Sequence, residues 1–369
     1  MEYPTILIDF VGSTAHYTSQ LEATLNKKSR LKTILITIKQ NKKITSSFRS
    51  KLFNTCIRLT SLVTNYLLLF IKIISSSSGQ VFIFNIPLAP FLEIFFLWLI
   101  GLKGGISIGI LHNHLPSHGE KKLIRNYRYS NFYDHCDVVI YHDSSISPTF
   151  SSAFPNSKPL FINLPSYSIP NASEFILRKK PNSDIIKLCF MGTIRPYKNL
   201  EIILSEFALL NKQQLSSLSL KISGKAFYDI DNIIKGLNGL EFADFSYNKN
   251  PTSDDQFYRE MAACNFVLLP HETTSGSALL SVAASLGVPI IASNHSVFTD
   301  FVQSYENGII FDHLITGDLH RVISSLIDDK SLQKRLKDNA VAALATIPTW
   351  SNYVDEIFIS CEDLIEAKL

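Results

Sequence analysis

Short apolar runs alternate with amphipathic ones along most of the chain. The runs "TILIDFV" (5–11), "KTILITI" (32–38), "QVFIFNI" (80–86), "GISIGIL" (105–111), "DVVIYH" (137–142) and "PLFINLP" (159–165) read as strands. Helical patterns fall at about 16–27, 50–74 and 90–102, and a further one ends near 133. A polar, proline-containing segment at 165–186 interrupts the series. The alternation then restarts, with strands predicted at 187–191, 218–223, 239–243, 265–269 and 288–292. Helices are predicted at 199–212, 228–236, 253–263 and 276–286, and a closing helix at 349–367. Strands that alternate with helices imply parallel sheets covered on both faces. Two such series imply two Rossmann-like α/β domains facing a central cleft, 1–165 and 187–348, with a linker at 166–186 and a closing helix within 349–369.

Charge divides the chain as the pattern does. Residues 1–180 hold 20 Lys and Arg against 9 Asp and Glu, whereas the remainder holds 15 against 23. From Ala23 to Leu92 there are eleven basic residues and no acidic one. Such a field attracts anionic partners, whether nucleic acid, anionic lipid or a phosphate-bearing substrate. The same stretch is apolar in places. "LTSLVTNYLLLFI" (59–71) and "IFFLWLIGL" (94–102) are uncharged but shorter than the roughly twenty residues a spanning helix needs. They read as buried or interfacial helices beside basic residues, the composition of a protein that lies on an anionic membrane surface. No signal peptide is legible at the start of the sequence. Five Cys without a C-x-x-C pair argue against zinc and against a disulfide framework, and suit a reducing cytosol.

Two stretches carry candidate chemistry. In "FMGTIRPYKNLEIILSEF" (190–207) a strand, a glycine turn and a helix enclose Gly192, Arg195 and Lys198. Asn199 is the candidate N-cap. Glycine permits close backbone approach and the cations suit a phosphate; a turn glycine beside two solvated charges has the same sequence. In "LLPHETTSGSALLSVAASLGVPIIAS" (268–293) the loop from Thr273 to Ser277 precedes an apolar helix. Its small hydroxyl residues and Gly276 suit an anion at a helix N-terminus, and equally a plain cap.

Taken together, these stretches resemble the GT-B glycosyltransferases, in particular the GT4-like group of bacterial polysaccharide-assembly enzymes. The similarity runs over about 187–366 and includes "ENGIIFD" (306–312) and the closing "TW…YVDEIF". The resemblance implies that Gly192, Arg195, Lys198, Ser275, Gly276 and Ser277 bind the donor diphosphate, and that Glu272, Thr274 and Asn307 lie near the donor sugar or nucleotide. It departs from the group at Thr274 and Val282, where a Glu-x7-Glu pair would fall.

In the N-terminal half, "DFVGSTAHYTSQL" (9–21) resembles the first strand and loop of such enzymes, with Gly12, Ser13 and His16 on the acceptor side. "ILHNHLPSHGEKKLIRNYR" (110–128) resembles a histidine-bearing loop at a strand end. His112, His118 and Asp9 are the candidate bases, with His114 on the acceptor side. A histidine near its ordinary pKa could take the acceptor hydroxyl's proton. The expected protein is a metal-independent hexosyltransferase, without cofactor, that moves a sugar from a nucleotide-diphosphate sugar to a lipid-linked or oligosaccharide acceptor. It would sit peripherally at the cytoplasmic face of the membrane and bind no nucleic acid. A nucleotide-sugar epimerase of the same fold and a catalytically silent partner subunit are the alternatives.

Overall fold

The computed structural model describes residues 5–10, 15–28, 34–37, 48–112, 130–177, 184–249, 253–274 and 276–367. The chain divides into two compact units, Met1–Asn163 with Thr349–Leu369, and Leu164–Pro348.

In the first unit the apolar runs become β1 (Thr5–Asp9), β2 (Ile34–Thr37), β3 (Val81–Phe84), β4 (Ile106–Leu111), β5 (Val138–Tyr141) and β6 (Lys158–Phe161). They form one sheet in the order β2-β1-β3-β4-β5-β6, parallel throughout. Parallel neighbours need long crossovers. The helices Ala15–Lys28, Phe48–Ile74 and Pro90–Leu102 supply the first three. Ile6, Ile8, Phe82, Phe84 and Val139 pack one core with Phe96, Phe132 and Phe150. The closing helix, Trp350–Glu366, starts at a capping box between Thr349 and Asn352. It lies against Ala15–Lys28, where the Tyr17 and Tyr353 hydroxyls meet at 2.5 Å and Lys28 pairs with Asp355.

The second unit repeats the design. Strands β7 (Ile186–Met191), β8 (Leu218–Ser223), β9 (Asp244–Asn248), β10 (Phe266–Leu269), β11 (Ile290–Ser293) and β12 (Gly308–Phe311) pair in the order β12-β11-β10-β7-β8-β9, again all parallel. Leu188, Phe190, Leu220, Ile222 and Phe266 fill one face; Cys189, Val267, Leu269 and Ile290 fill the other.

Several boundaries differ from the sequence pattern. The helix expected at 199–212 spans only Leu200–Phe207, and a short helix, Lys212–Ser216, follows behind an Asn211–Gln214 capping box. The strand expected at 239–243 is β9, five residues later. Leu240 and Phe242 pack on the core from the connection that precedes it. Segment 166–186 carries the helix Ala172–Leu177, which buries Phe175 against the second unit. No helix among the described residues is long and apolar enough to cross a membrane.

Candidate functional site

In an open parallel sheet, ligands bind beyond the strand C-termini where the strand order reverses. In the second unit the chain runs outward from β7 through β8 to β9, then returns to β10 on the other side of β7. The reversal lies between β7 and β10. The loops that leave these two strands are the two stretches singled out in the sequence.

After β7, Gly192 has a φ of +90°, where a side chain is strained. A Cβ there would stand 3.3 Å from Leu279 and 3.4 Å from the Lys198 ammonium. The Gly192 N–H donates to the Ser223 carbonyl at 2.9 Å and the Ile194 N–H to that of Lys225, so the loop leans on the one after β8. Arg195 is extended and its guanidinium stacks over the Phe227 ring at 4.3 Å. A 3-10 turn, Pro196–Lys198, follows. Asn199 precedes the helix with a left-handed φ of +53° and no side-chain cap bond. It turns the chain and does not cap by its amide as expected.

Lys198 is buried to 6 % exposure. Burial, and then the charge of Arg195, push its pKa down to about 8. Among the described residues neither cation has a carboxylate partner. A buried cation left unpaired is costly to the fold, and a ligand anion relieves that cost.

After β10 the loop carries His271 and Glu272. The Glu272 N–H donates to the Tyr197 carbonyl at 2.8 Å, which ties the two loops together. His271 is buried between the Tyr197 and Phe298 rings, at 5.9 and 5.3 Å. Among the described residues neither of its ring nitrogens has a partner. Burial, with the Lys198 charge beside it, holds its pKa well below the usual histidine range. Glu272 is exposed. Thr274 closes a turn, its hydroxyl donating to the Gly276 carbonyl at 3.0 Å and accepting from the Gly276 N–H at 3.3 Å. Ser277 caps the helix Ala278–Ser285 by accepting from the Leu280 N–H at 3.3 Å, which leaves its hydroxyl proton to donate. Ser275 lies outside the described residues.

His271 has company that the sequence reading missed. His295 Nε2 donates to the His271 carbonyl at 2.8 Å, and the His295 and His313 rings stand 5.0 Å apart. His313 Nδ1 donates to the Asn294 side chain. Each of the three histidines comes two residues after a strand end, of β10, β11 and β12 in turn. Because those strands are parallel neighbours, equal offsets line the rings up along one edge. That repeated offset was the available signal. Asn307 is another residue that the resemblance places near the donor sugar or nucleotide. It precedes β12, at the opposite edge of the sheet from His313, and its side-chain oxygen is buried without a partner. The adjoining Gly308 is required by packing, since a Cβ would lie 2.7 Å from the Ile290 carbonyl oxygen.

The first sheet reverses between β1 and β3, and a polar chain spans that point. The Thr18 hydroxyl donates to Asp9 Oδ2 at 2.6 Å, and the Asn85 amide donates to Thr18 Oγ1 at 3.0 Å. His112 Nε2 and Asn85 Oδ1 are 2.6 Å apart. An amide oxygen only accepts, so Nε2 carries the proton and Nδ1 keeps the lone pair. Burial and the neighbouring His142 push the His112 pKa down to about 3. That direction favours the neutral ring, whereas the sequence suggested a histidine near its ordinary pKa. His142 is likewise neutral, its pKa pushed down to about 4 by burial, with Nδ1 donating to the Ile162 carbonyl. Asp9 is buried against Thr18 rather than facing solvent as a base would. His16 is exposed on the helix Ala15–Lys28. Gly12, Ser13, His114 and His118 lie outside the described residues. Among the described residues no His, Cys, Asp and Glu side chains cluster as a metal site.

Residues 173–342 match the glycosyl transferases group 1 family. No curated protein matches the sequence. Over the whole chain the fold is GT-B-like, as in sucrose-phosphate synthase from Thermosynechococcus elongatus, which is 15% identical with a TM-score of 0.73, covering 99% of this chain and 100% of that one. The UDP complex of Anabaena Alr3699/HepE is 13% identical with a TM-score of 0.65, covering 98% and 100%. An α,α-trehalose-phosphate synthase (UDP-forming) from Burkholderia vietnamiensis is 8% identical with a TM-score of 0.70, covering 100% and 99%. The family match supports a glycosyltransferase that uses a nucleotide sugar.

Proposed function

We propose that the protein is a hexosyltransferase that moves a sugar from a nucleoside-diphosphate donor to a lipid-linked saccharide acceptor in surface polysaccharide assembly, at the cytoplasmic membrane face. The observation that carries the donor half is the pair Arg195 and Lys198, two cations without carboxylate partners among the described residues, at the reversal between β7 and β10. A nucleoside diphosphate supplies the missing anion. As the glycosidic bond to the diphosphate breaks, charge grows on the leaving oxygen, and fixed cations beside it stabilise that charge without reorganising. Gly192 keeps the backbone low enough for the phosphates to approach, and the helix that begins after Ser277 directs its free N–H groups toward anions. These cations do the work a metal would do. His271 and the exposed Glu272 are the nearest polar side chains on the β10 loop for the sugar.

On the acceptor side, His112 stands at the strand reversal of the first sheet, with its tautomer held through Asn85 and Thr18 by Asp9. A ring with so low a pKa orients the acceptor hydroxyl rather than keeping its proton. The lipid-linked acceptor is supported by the basic, acid-free stretch 23–92.

Thr274 and Val282, where the resemblance places carboxylates, favour one second reading, a catalytically silent partner subunit. Incubation with a panel of nucleotide sugars, with and without membrane extract, separates the two. Nucleoside diphosphate release that requires the extract supports the transferase. Tight nucleotide binding without release under either condition supports the silent subunit, and interconversion of the free donor sugar would indicate an epimerase.

A further inference from the structure

An ordinary surface helix is apolar on the side that meets the core and polar on the other. Two helices of the first unit are apolar on both. On Phe48–Ile74, Tyr66, Leu69 and Ile73 are buried, yet Val63, Leu67, Ile71 and Ile74 repeat at helical spacing on the open side, with Leu67 57% exposed. On Pro90–Leu102, Phe96, Leu97 and Ile100 are buried. Phe91, Phe95, Trp98 and Leu102 form the open stripe, with Trp98 58% and Leu102 64% exposed. The helices are joined side by side. Tyr66 stacks on Phe96 with ring centroids 5.6 Å apart, and its hydroxyl donates to Glu93 Oε1 at 2.9 Å. The two open stripes therefore flank one seam. Contiguous exposed apolar surface of this kind marks an interaction site.

We propose that this two-helix face inserts into the interfacial layer of an anionic bilayer. The proposal deepens the reading of a membrane-bound acceptor by naming the surface that meets the membrane, and it holds independently of which sugar is transferred.

Charge selects the occupant. Lys72 lies on the first helix and Lys103 follows the second. No acidic residue occurs from Ala23 to Leu92. The first acid beyond it, Glu93, is buried under the face, where the Leu88 N–H and the Tyr66 hydroxyl hold Oε1. A second copy of this chain docked on the same face would set lysine against lysine with no carboxylate to meet them. Anionic headgroups meet them directly, at about 1 kcal/mol per basic residue near the surface. Aromatic residues concentrate at the headgroup level of bilayers, and Phe91, Phe95 and Trp98 supply them. Among the described residues neither helix is long and apolar enough to cross a bilayer, which suits a face that lies in the interfacial layer.

The chain has two tryptophans, and Trp350 is buried, so a change of exposed indole emission reports Trp98. With phosphatidylglycerol–phosphatidylcholine vesicles the emission of the intact protein should shift to the blue and be quenched by acyl-chain-brominated lipid. The Phe91→Ser, Phe95→Ser and Leu102→Ser changes should each lower vesicle partition roughly tenfold, with nucleoside diphosphate affinity unchanged. Absence of acyl-chain quenching in the intact protein, or equal partition into pure phosphatidylcholine, would overturn the proposal. So would an intact protein that is dimeric without lipid and becomes monomeric in these variants, since the face would then bind a second copy. Because nucleotide affinity is read on the same samples, loss of the donor reading would show separately from loss of the membrane face.

Discussion

The two sheets reverse their strand order in the same way, but they furnish the reversal differently. Between β1 and β3, polar side chains bond one another: His112 donates to Asn85, Asn85 to Thr18 and Thr18 to Asp9. Between β7 and β10, among the described residues, Lys198 is buried without a counterion and both His271 nitrogens lack partners. A satisfied buried network fixes geometry and supports stability, whereas unpaired buried groups cost stability that a ligand can return. The first edge holds a tautomer in place; the second, on the proposed reading, receives an anion.

The largest expected effect is on the second edge. Removing both cations, Arg195→Ala with Lys198→Ala, should weaken nucleoside diphosphate binding by about 3–6 kcal/mol, since hydrogen bonds to charged groups are each worth about 1.5–3 kcal/mol. Calorimetry should then detect no binding, with the fold retained. Asn85→Ala should do the opposite. It strands the His112 donor and a Thr18 acceptor in a buried site, and urea denaturation should read a loss of about 1–3 kcal/mol with nucleotide affinity unaltered. If Asn85→Ala weakened nucleotide binding as much as the cation changes do, the contrast between the edges would fail.

Gly192→Ala comes next. Its left-handed φ should cost about 1–2 kcal/mol of stability, and the new methyl, 3.4 Å from Lys198 Nζ, should also weaken nucleotide binding, though less than loss of a cation. An unchanged affinity would mean that the glycine serves the turn alone. The smallest effect is on pH. Lys198 in the free protein loses its proton near pH 8, and a bound diphosphate holds it on. Affinity should therefore fall above pH 8, by at most about tenfold per pH unit. The stability of the nucleotide-free protein should move the other way. Between about pH 8 and the ordinary lysine value of 10.5 the unfolded chain holds a proton that the fold has released, so unfolding free energy rises with pH across that window. Opposite slopes of affinity and stability over one pH range are the signature to look for.

Alternation of apolar runs and helical stripes made the two parallel sheets legible, because a strand buried on both faces reads as an unbroken apolar run. β9, "DFSYN", escaped for the converse reason. It is an edge strand and half-exposed, so the more apolar "GLEF" before it looked like the strand. That Gly192, Arg195 and Lys198 share one loop after a strand was legible because they are close in sequence. The histidine row was not, because its members lie 24 and 18 residues apart in sequence and only strand pairing aligns them. Burial, which decides whether Lys198 and His112 are charged, has no signature in a short loop.

The Lys198→Met variant tests the central claim most directly, because methionine keeps the buried chain and removes the charge. At pH 7, nucleoside diphosphate titration and thermal denaturation would be run on the same sample. The unpaired-cation account predicts affinity at least tenfold lower than the parent and a nucleotide-free Tm at or above it. An unchanged affinity, or a lower Tm with affinity retained, would contradict it and make Lys198 a structural residue.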